Sequence, residues 1–308
     1  MAWELLLKLA MPSGKPIFTP DTSALNRLLD DPDSARLVAG LKAGYFTRLT
    51  GDNFREIGAT KNGERRLQLL TMCRQLLLAG EFALPYNWLL GNHIIHFHQN
   101  PHAYHWKLGS VRFRAAEMEI VHQEFLNEKV ALEEREDARE NAAVFESVFC
   151  DVRDKFQLLF ESGAERQPAS VQELVTLFQV PGGVFWSYGQ GLYAKITGVT
   201  PDEATIRDFV QRCPPLKAII LALCTAQYER CIRDLSRGPS LRAGRIDMYC
   251  AAHLPYCDRF VTADDKQMRA LREIAVIGDF ATEVVHYDDF RRLMVPEFSG
   301  CIRPDVAM

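Results

Sequence analysis

Paired cysteine motifs are absent from this sequence of 308 residues. Its eight cysteines include no C-x-x-C pair, which argues against a zinc ribbon and against a thioredoxin-like site. Eight cysteines are also too few to hold a chain of this length together as a disulfide scaffold. We therefore expect reduced thiols in a reducing cytosol, which predicts a cytoplasmic protein.

Long hydrophobic runs are also lacking. The segment AIILALC at 218–224 is far too short to span a bilayer. The apolar start MAWELLLKLAM carries Glu4 where a signal peptide has positive charge, and no small-residue cleavage site follows it. These features predict a soluble protein that does not associate with membranes.

An excess of positive charge is missing as well. The chain has 36 lysines and arginines against 40 aspartates and glutamates, and this balance argues against a basic coat for nucleic acid. A local basic groove stays open, with arginines that could contact phosphates or simply face solvent at Arg65, Arg66, Arg237, Arg242 and Arg245. No G-x-S-x-G elbow occurs, so we set serine-hydrolase chemistry aside.

The pattern of the chain divides it into three regions. Residues 1–84 alternate strand-like and helix-like segments, with strands predicted at IFTP and YFTRLT. Residues 85–240 follow helical spacing almost throughout and contain no convincing strand. Residues 241–308 return to alternation, with strands predicted at RFVTAD and TEVVHY. We therefore expect one α/β domain with a parallel sheet, built from both chain ends and interrupted by a mostly helical insertion.

Four acidic residues stand where predicted strands end or the next helices begin. They are Asp21, Glu56, Asp247 and Asp264. In open parallel sheets, ligands bind outside the carboxyl ends of the strands. Carboxylates gathered there hold hard cations such as Mg²⁺ or Mn²⁺, which activate water and stabilise the oxygens of a phosphodiester during its displacement.

Helix capping is the alternative explanation for each of these acids taken singly. Asp, Asn, Ser and Thr are ordinary residues at helix starts, where the helix dipole favours carboxylates. Thr262 with Asp265 has the spacing of a capping box, and Asn53 with Glu56 has that of a variant. Composition and spacing alone are therefore consistent with either role.

Three segments resemble the PIN-domain nucleases. IFTPDTSALNRLL is similar to the opening strand, Asp-Thr-Ser and helix of that family. RIDMYCAAHLPYCDRFVTADDKQM is similar to its closing signature, and DNFREIGA to the segment in which a glutamate opens a helix after the second strand. The resemblance covers about 15–84 and 241–290, under half of the chain. It implies a three-layer, PIN-like parallel α/β domain.

The resemblance also implies a set of site residues. The implied metal ligands are Asp21, Glu56, Asp247 and Asp264, supported by the hydroxyl groups of Thr22, Ser23 and Thr262. Asn53 and Asp265 are kept as further supporting candidates. Two features depart from the family: compact PIN nucleases have no helical insertion of this length, and Gln267 stands where an aromatic or apolar residue is usual.

The predicted function is that of a Mg²⁺- or Mn²⁺-dependent endonuclease. The resemblance favours an endoribonuclease acting on single-stranded RNA over one acting on other nucleic acids. The alternative from another class is a non-catalytic PIN-like scaffold whose helical insertion binds RNA or a protein partner. A homodimer is left open.

A histidine-rich segment gives a third hypothesis. GNHIIHFHQNPHAYHW places five histidines within 13 residues, at His93, His96, His98, His102 and His105. Spacings of three and four could align imidazoles for zinc in a histidine-metal enzyme. However, Asn100–Pro101 interrupts any single helix, and no cysteine or carboxylate completes the set nearby. We therefore favour partly exposed histidines in an aromatic-rich loop or interface.

Overall fold

The structure, a computed structural model, describes residues 14–109, 112–113, 126–137, 139–140, 153–155, 162–163, 166–233 and 248–295. Its strands are β1 (Ile17–Pro20), β2 (Phe46–Thr50), β3 (Gly80–Ala83), β4 (Arg112–Phe113), β5 (Arg259–Thr262) and β6 (Glu283–His286). They form one sheet in the order β4-β3-β2-β1-β5-β6. Five strands are parallel, and the short edge strand β4 pairs antiparallel with β3. The predicted α/β class with a parallel sheet is confirmed.

The strand order reverses at β1. From β1 the chain moves outward through β2 to β3 on one side, and later through β5 to β6 on the other. At the carboxyl ends of β1 and β5, Pro20 pairs with Val261. Asp21 and Thr262 are the next residues along these two strands. They therefore come side by side at the switch point, where open α/β sheets bind their ligands.

Helices connect the strands and cover both faces of the sheet. The α-helices are α1 (Thr22–Asp30), α2 (Ser34–Gly44), α3 (Gly51–Gly58), α4 (Gly63–Leu77), α5 (Tyr86–Gln99), α6 (Val171–Phe178), α7 (Val184–Thr197), α8 (Glu203–Arg212), α9 (Pro214–Gln227), α10 (Asp265–Gly278) and α11 (Tyr287–Met294). A π-helical turn, Tyr228–Ile232, continues α9, and a 3₁₀ helix, Cys250–Tyr256, precedes β5. Each βα connection at the carboxyl edge is short, so the residues that follow the strands are held close to the sheet.

Alternation along the strands divides the core into two clusters. Phe18, Val261 and Val285 belong to the cluster that α1 to α4 and α11 complete. Phe260 and Val284 belong to the cluster formed with α5 to α10. This period of two, with side chains alternating between faces, is the one expected for strands buried on both sides.

The helices from α5 to α9 lie within the second cluster rather than apart from the sheet. Helix α9 is almost wholly buried and packs against α10 and the 3₁₀ helix that precedes β5. Apolar residues of α5 to α9 are continuous in that cluster with those of β5 and β6. The described part of the predicted insertion therefore shares a core with the sheet, while the boundaries at residues 84 and 240 stay a prediction.

Two strands were not predicted. Helix α4 ends at Leu77, and Gly80 opens β3, for which no strand was predicted. A Cβ atom at Gly80 would lie 1.9 Å from the carbonyl oxygen of Thr47, so the close approach of β2 and β3 requires glycine there. Strand β4 lies in the region predicted to have no strand, and its two residues are defined by pairing with β3.

Within the described residues, no single helix is long and apolar enough to cross a membrane. Two consecutive helical segments, Glu203–Arg212 and Pro214–Ile232, reach that length and apolarity only when they are counted together, and the chain bends by 105° between them.

Candidate functional site

Asp21 occupies the carboxyl end of β1. It is the N-cap of α1, and its Oδ1 atom accepts a hydrogen bond of 2.7 Å from the backbone N–H of Ala24. Its backbone N–H donates to the carbonyl oxygen of Val261, which continues the pairing with β5 by one step. Only 4% of Asp21 is exposed. A buried carboxylate requires hydrogen-bond donors around it, and two hydroxyl groups supply them.

Ser23 and Thr262 bind the Asp21 carboxylate from two different parts of the chain. Ser23 Oγ donates to Asp21 Oδ1 at 2.8 Å, and Thr262 Oγ1 donates to Asp21 Oδ2 at 2.6 Å. Ser23 Oγ also accepts from the backbone N–H of Ala263 at 2.8 Å. The structure thus brings together Asp21 and two of the three hydroxyl residues predicted to support it.

Asp264 adds a second carboxylate to this group. It is the N-cap of α10, where its Oδ1 atom accepts from the backbone N–H groups of Lys266 (2.7 Å) and Gln267 (2.9 Å). Its own N–H donates to Thr262 Oγ1 at 3.1 Å, so a single hydroxyl group links Asp264 to Asp21. We call Asp21, Ser23, Thr262 and Asp264 the acid corner.

The predicted capping box of Thr262 and Asp265 is wrong. Asp264 caps α10, and Asp265 is the first helical residue, with 78% of its side chain exposed. The hydroxyl group of Thr262 is directed to Asp21 instead of to the helix N-terminus. The carboxylate of Asp264, two residues after Thr262, therefore caps the helix, and Asp265 faces solvent beside the acid corner.

Gln267 stands where the resembled PIN-domain nucleases usually have an aromatic or apolar residue, and its contacts account for a polar side chain at this position. Its side chain is buried, and its Oε1 atom lies 2.7 Å from Thr262 Oγ1. The Thr262 hydroxyl has one proton, so it can donate to Asp21 or to Gln267 but not to both. A polar residue at this position therefore contacts the hydroxyl group of the acid corner directly.

Asn53 connects the end of β2 with the end of β1. The predicted pairing of Asn53 with Glu56 at the helix start is wrong, because Thr50 is the N-cap of α3 and Asn53 completes the capping box with it. The Asn53 amide Nδ2 donates to the carbonyl oxygen of Pro20 at 3.2 Å and to Thr22 Oγ1 at 3.4 Å. Asn53 and Thr22 are therefore in contact beside Asp21, as expected of supporting residues.

Glu56 lies inside α3 rather than at its start, because the helix begins at Gly51. It is half-buried and follows Asn53 by three residues, so both lie on the same face of the helix. Since Asn53 contacts Thr22, this face is directed toward the end of β1. Glu56 is thus one helical turn away from Asn53, which contacts Thr22, the residue between Asp21 and Ser23.

A buried aspartate–histidine pair at the end of β2 was not predicted. Asp52 Oδ2 lies 3.2 Å from His253 Nε2 and accepts from the backbone N–H of Tyr86 at 2.9 Å. Both members of the pair are buried, and His253 Nδ1 has no hydrogen-bond partner among the described residues. Burial and the nearby Tyr249 and Asp52 raise the pKa of the Tyr86 phenol.

No sequence signal could have identified this pair. Asp52 and His253 are 201 positions apart. Both lie in segments that resemble the PIN-domain nucleases, but no spacing rule pairs one with the other. The contact depends on the 3₁₀ helix Cys250–Tyr256 bringing His253 to the start of α3, and only the folded chain defines that placement.

The remaining acid, Asp247, lies outside the described residues, as do Arg237, Arg242 and Arg245. The two described arginine candidates have protein partners. Arg65 forms hydrogen bonds with Asp30 and Asn26, and the buried Arg66 binds the carbonyl oxygen of Thr60 and the carboxylate of Glu128.

The donor atoms of the acid corner suit a hard cation in kind. Carboxylate and hydroxyl oxygens are the ligands that Mg²⁺ and Mn²⁺ prefer, and Asp21, Ser23, Thr262 and Asp264 carry side-chain oxygens of these two kinds. Among the described residues, however, no three His, Cys, Asp or Glu side chains are grouped so that they could hold a metal ion. A complete set of metal ligands would therefore need Asp247 and would need the Glu56 carboxylate to lie close to the acid corner.

The histidine-rich segment does not form a site. His93 is buried between the phenol groups of Tyr256 (2.5 Å) and Tyr104 (3.0 Å), and burial lowers its pKa to about 3. The four other histidines are exposed. His98 contacts the Tyr193 hydroxyl at 2.9 Å. Helix α5 ends at Gln99, immediately before Asn100–Pro101, as expected. The favoured interpretation, histidines of an aromatic-rich interface, agrees with these contacts.

The chain matches no protein-family model and has no significant match among curated proteins or solved structures. The class that fold and site define is an open, mainly parallel α/β domain with two helix-capping carboxylates at its switch point.

Proposed function

We propose that the chain is a Mg²⁺- or Mn²⁺-dependent endonuclease with a PIN-like domain, and that single-stranded RNA is its substrate. The observation that carries the proposal is the acid corner. Residues predicted as one site from opposite ends of the chain, Asp21, Thr262 and Asp264, are joined by hydrogen bonds at the carboxyl ends of β1 and β5. This is the position where open α/β sheets bind ligands.

The residues of the acid corner would have distinct roles. Asp21 is held in one orientation by Ala24, Ser23 and Thr262, so its carboxylate needs little reorganisation to bind a cation. Asp264 stands at the same edge, where the N-terminus of α10 stabilises its charge.

Glu56 and Asp247 would complete the set of acids. Glu56 belongs to the face of α3 that carries Asn53, which contacts Thr22. Asp247 is assigned from the resemblance of its sequence segment. When bound, Mg²⁺ or Mn²⁺ would supply an activated water and neutralise the charge that develops on the phosphodiester. The preference for RNA rests on the resemblance alone.

The test is cleavage of a 5′-labelled single-stranded RNA in Mn²⁺ by the wild type and by Asp21→Asn and Asp247→Asn. We expect each variant to lose activity by about 100-fold or more, since ligands of a catalytic cation are worth several kcal/mol. Asp208→Asn, on the exposed side of α8, is the matched control and should retain activity. Equal cleavage by the wild type and both variants would contradict the proposal.

A non-catalytic scaffold is the second candidate, and one observation favours it. Asp21 and Asp264 both cap helices, which gives each a structural reason to be present without a metal. Calorimetry with Mn²⁺ separates the two functions. A nuclease should bind Mn²⁺ with an affinity that falls in Asp21→Asn, whereas a scaffold should show no binding that depends on this carboxylate.

A further inference from the structure

His286 lies beside the acid corner without belonging to the predicted site. It is the last residue of β6 and pairs in register with Thr262, the last residue of β5. Its side chain is mostly buried, with 19% exposed. An imidazole at the end of a neighbouring strand can influence the acid corner only through the contacts that it makes.

The two ring nitrogens of His286 have different roles. Nδ1 accepts from the backbone N–H of Asp288 at 3.3 Å and so caps α11. In the neutral ring, the proton is then on Nε2. Nε2 donates to the carbonyl oxygen of Ala263 at 3.2 Å and lies 3.9 Å from Asp265 Oδ1.

The Ala263–Asp264 peptide group is held from both sides. Its carbonyl oxygen, on Ala263, accepts from His286, and its N–H, on Asp264, donates to Thr262 Oγ1. The preceding N–H, of Ala263, donates to Ser23 Oγ. Rotation of this peptide would break the link between Asp264 and Thr262, so its orientation determines where the Asp264 carboxylate stands relative to Asp21.

We propose that His286 is a positioning residue of the acid corner. By fixing the Ala263–Asp264 peptide, it would hold Asp264 in the orientation in which its carboxylate and that of Asp21 bind the same cation. This inference rests on the proposed function for the cation. Partners of this kind, which orient a metal ligand without touching the metal, typically contribute 10- to 100-fold to metal affinity.

Two substitutions separate the roles of the ring nitrogens. His286→Gln places an amide N–H near the position of Nε2, and so it should keep the hydrogen bond to Ala263. His286→Asn places an amide oxygen near the position of Nδ1, and so it should keep the cap of α11. Both variants remove the imidazole, and thermal unfolding shows whether each remains folded.

The measurement is the Mn²⁺ affinity of the full chain by calorimetry, without substrate. We expect His286→Gln to bind within about 2-fold of the wild type and His286→Asn to bind about 10-fold more weakly. Equal affinity of His286→Asn and the wild type would overturn the proposal. Equal weakening in both variants would also overturn it, because the cap or the ring itself would then be responsible.

Amide hydrogen exchange in the metal-free protein provides the second measurement. The N–H of Asp264 should exchange faster in His286→Asn than in His286→Gln, and unchanged exchange in His286→Asn would overturn the positioning role. A wild type that binds no Mn²⁺ would contradict the proposed function instead. In that case the exchange rates alone decide whether His286 positions Asp264.

Discussion

The acid corner and the histidine-rich segment differ in the relation between the separation of residues along the sequence and their separation in space. In the acid corner, Asp21 and Thr262 are 241 positions apart and share a hydrogen bond. In the histidine-rich segment, five histidines lie within 13 positions, but one is buried and four are exposed. The strand ends of a parallel sheet collect distant residues at one edge, whereas a helix distributes neighbouring residues around its axis.

Helical geometry accounts for the separation of the histidines. His93 lies on the buried face of α5 with Leu89, Leu90 and Phe97. His98 is five residues further on, which turns it by about 140° around the helix axis toward the exposed side. His96, three residues after His93, lies nearer the same face but is also exposed. After Gln99 the helix ends, so His102 and His105 follow a different backbone path.

The largest effect that we expect concerns the stability of the acid corner. Asp21→Ala would remove the carboxylate that accepts from the Ala24 N–H and from the Ser23 hydroxyl, while Thr262 could still donate to Gln267 Oε1. We expect a cost of about 2–4 kcal/mol in the free energy of unfolding. The matched deletion in the histidine-rich segment, His102→Ala, removes an exposed side chain and should change stability by less than about 0.5 kcal/mol. Urea denaturation measures both, and similar losses in the two variants would remove the contrast between the regions.

A smaller effect should appear in the pH dependence of stability. The pKa of His93 is lowered to about 3 in the folded chain, while an unfolded histidine has a pKa of about 6.5. Between these values the unfolded state binds a proton that the folded state does not, so His93 makes stability fall as pH falls below 6.5. From pH 7.5 to 5.5 its contribution is about 1–1.5 kcal/mol.

His93→Gln should therefore lose about that much less stability than the wild type over the same pH interval. Urea denaturation at both pH values gives the difference. His102→Gln, the exposed control, should follow the wild type. Equal losses in the wild type and in His93→Gln would show that the pKa of His93 is not lowered in the folded chain.

The smallest expected effect is on metal binding by the histidine-rich segment. Because His96, His98, His102 and His105 do not converge, replacing all four with glutamine should leave Mn²⁺ and Zn²⁺ affinities within about 2-fold of the wild type, less than the 10- to 100-fold loss typical of a site. Calorimetry with each ion measures this. A loss of Zn²⁺ binding in the quadruple variant would restore the histidine-metal hypothesis.

Strand ends in this chain could be predicted because their signals are local. IFTP is followed directly by Asp21. RFVT ends at Thr262, and Asp264 follows two residues later. Both strands occur where the pattern predicts them. Strands β3 and β4 gave no comparable signal. Gly80 follows a helical pattern as a helix-ending glycine would, and β4 has two residues defined by their partner strand. Both strands form by pairing with other strands of the sheet, and the spacing of residues in the sequence carries no information about that pairing.

The roles of individual polar residues were less predictable than their positions. Thr50 caps its helix three residues before Asn53, and Asp264 caps its helix two residues after Thr262, whereas capping-box spacing indicated Asn53 and Thr262. The capping-box rule identifies residue types that can accept hydrogen bonds from the first backbone N–H groups of a helix, and several neighbouring residues fit it. The tertiary contacts of Asn53 and Thr262 determine which of these residues becomes the N-cap. The sequence pattern assigns no role to Asp52, His253 or His286, so only the folded structure identifies their contacts.

The link between Asp21 and Thr262 also sets when the acid corner can exist during synthesis. The ribosome adds about 5–20 residues per second, so the 241 positions between the two residues correspond to roughly 10 to 50 s of translation. For that interval a nascent chain carries Asp21 without Thr262, Asp264 or His286. An activity that depends on the acid corner would thus be withheld until Thr262 and Asp264 have been synthesised.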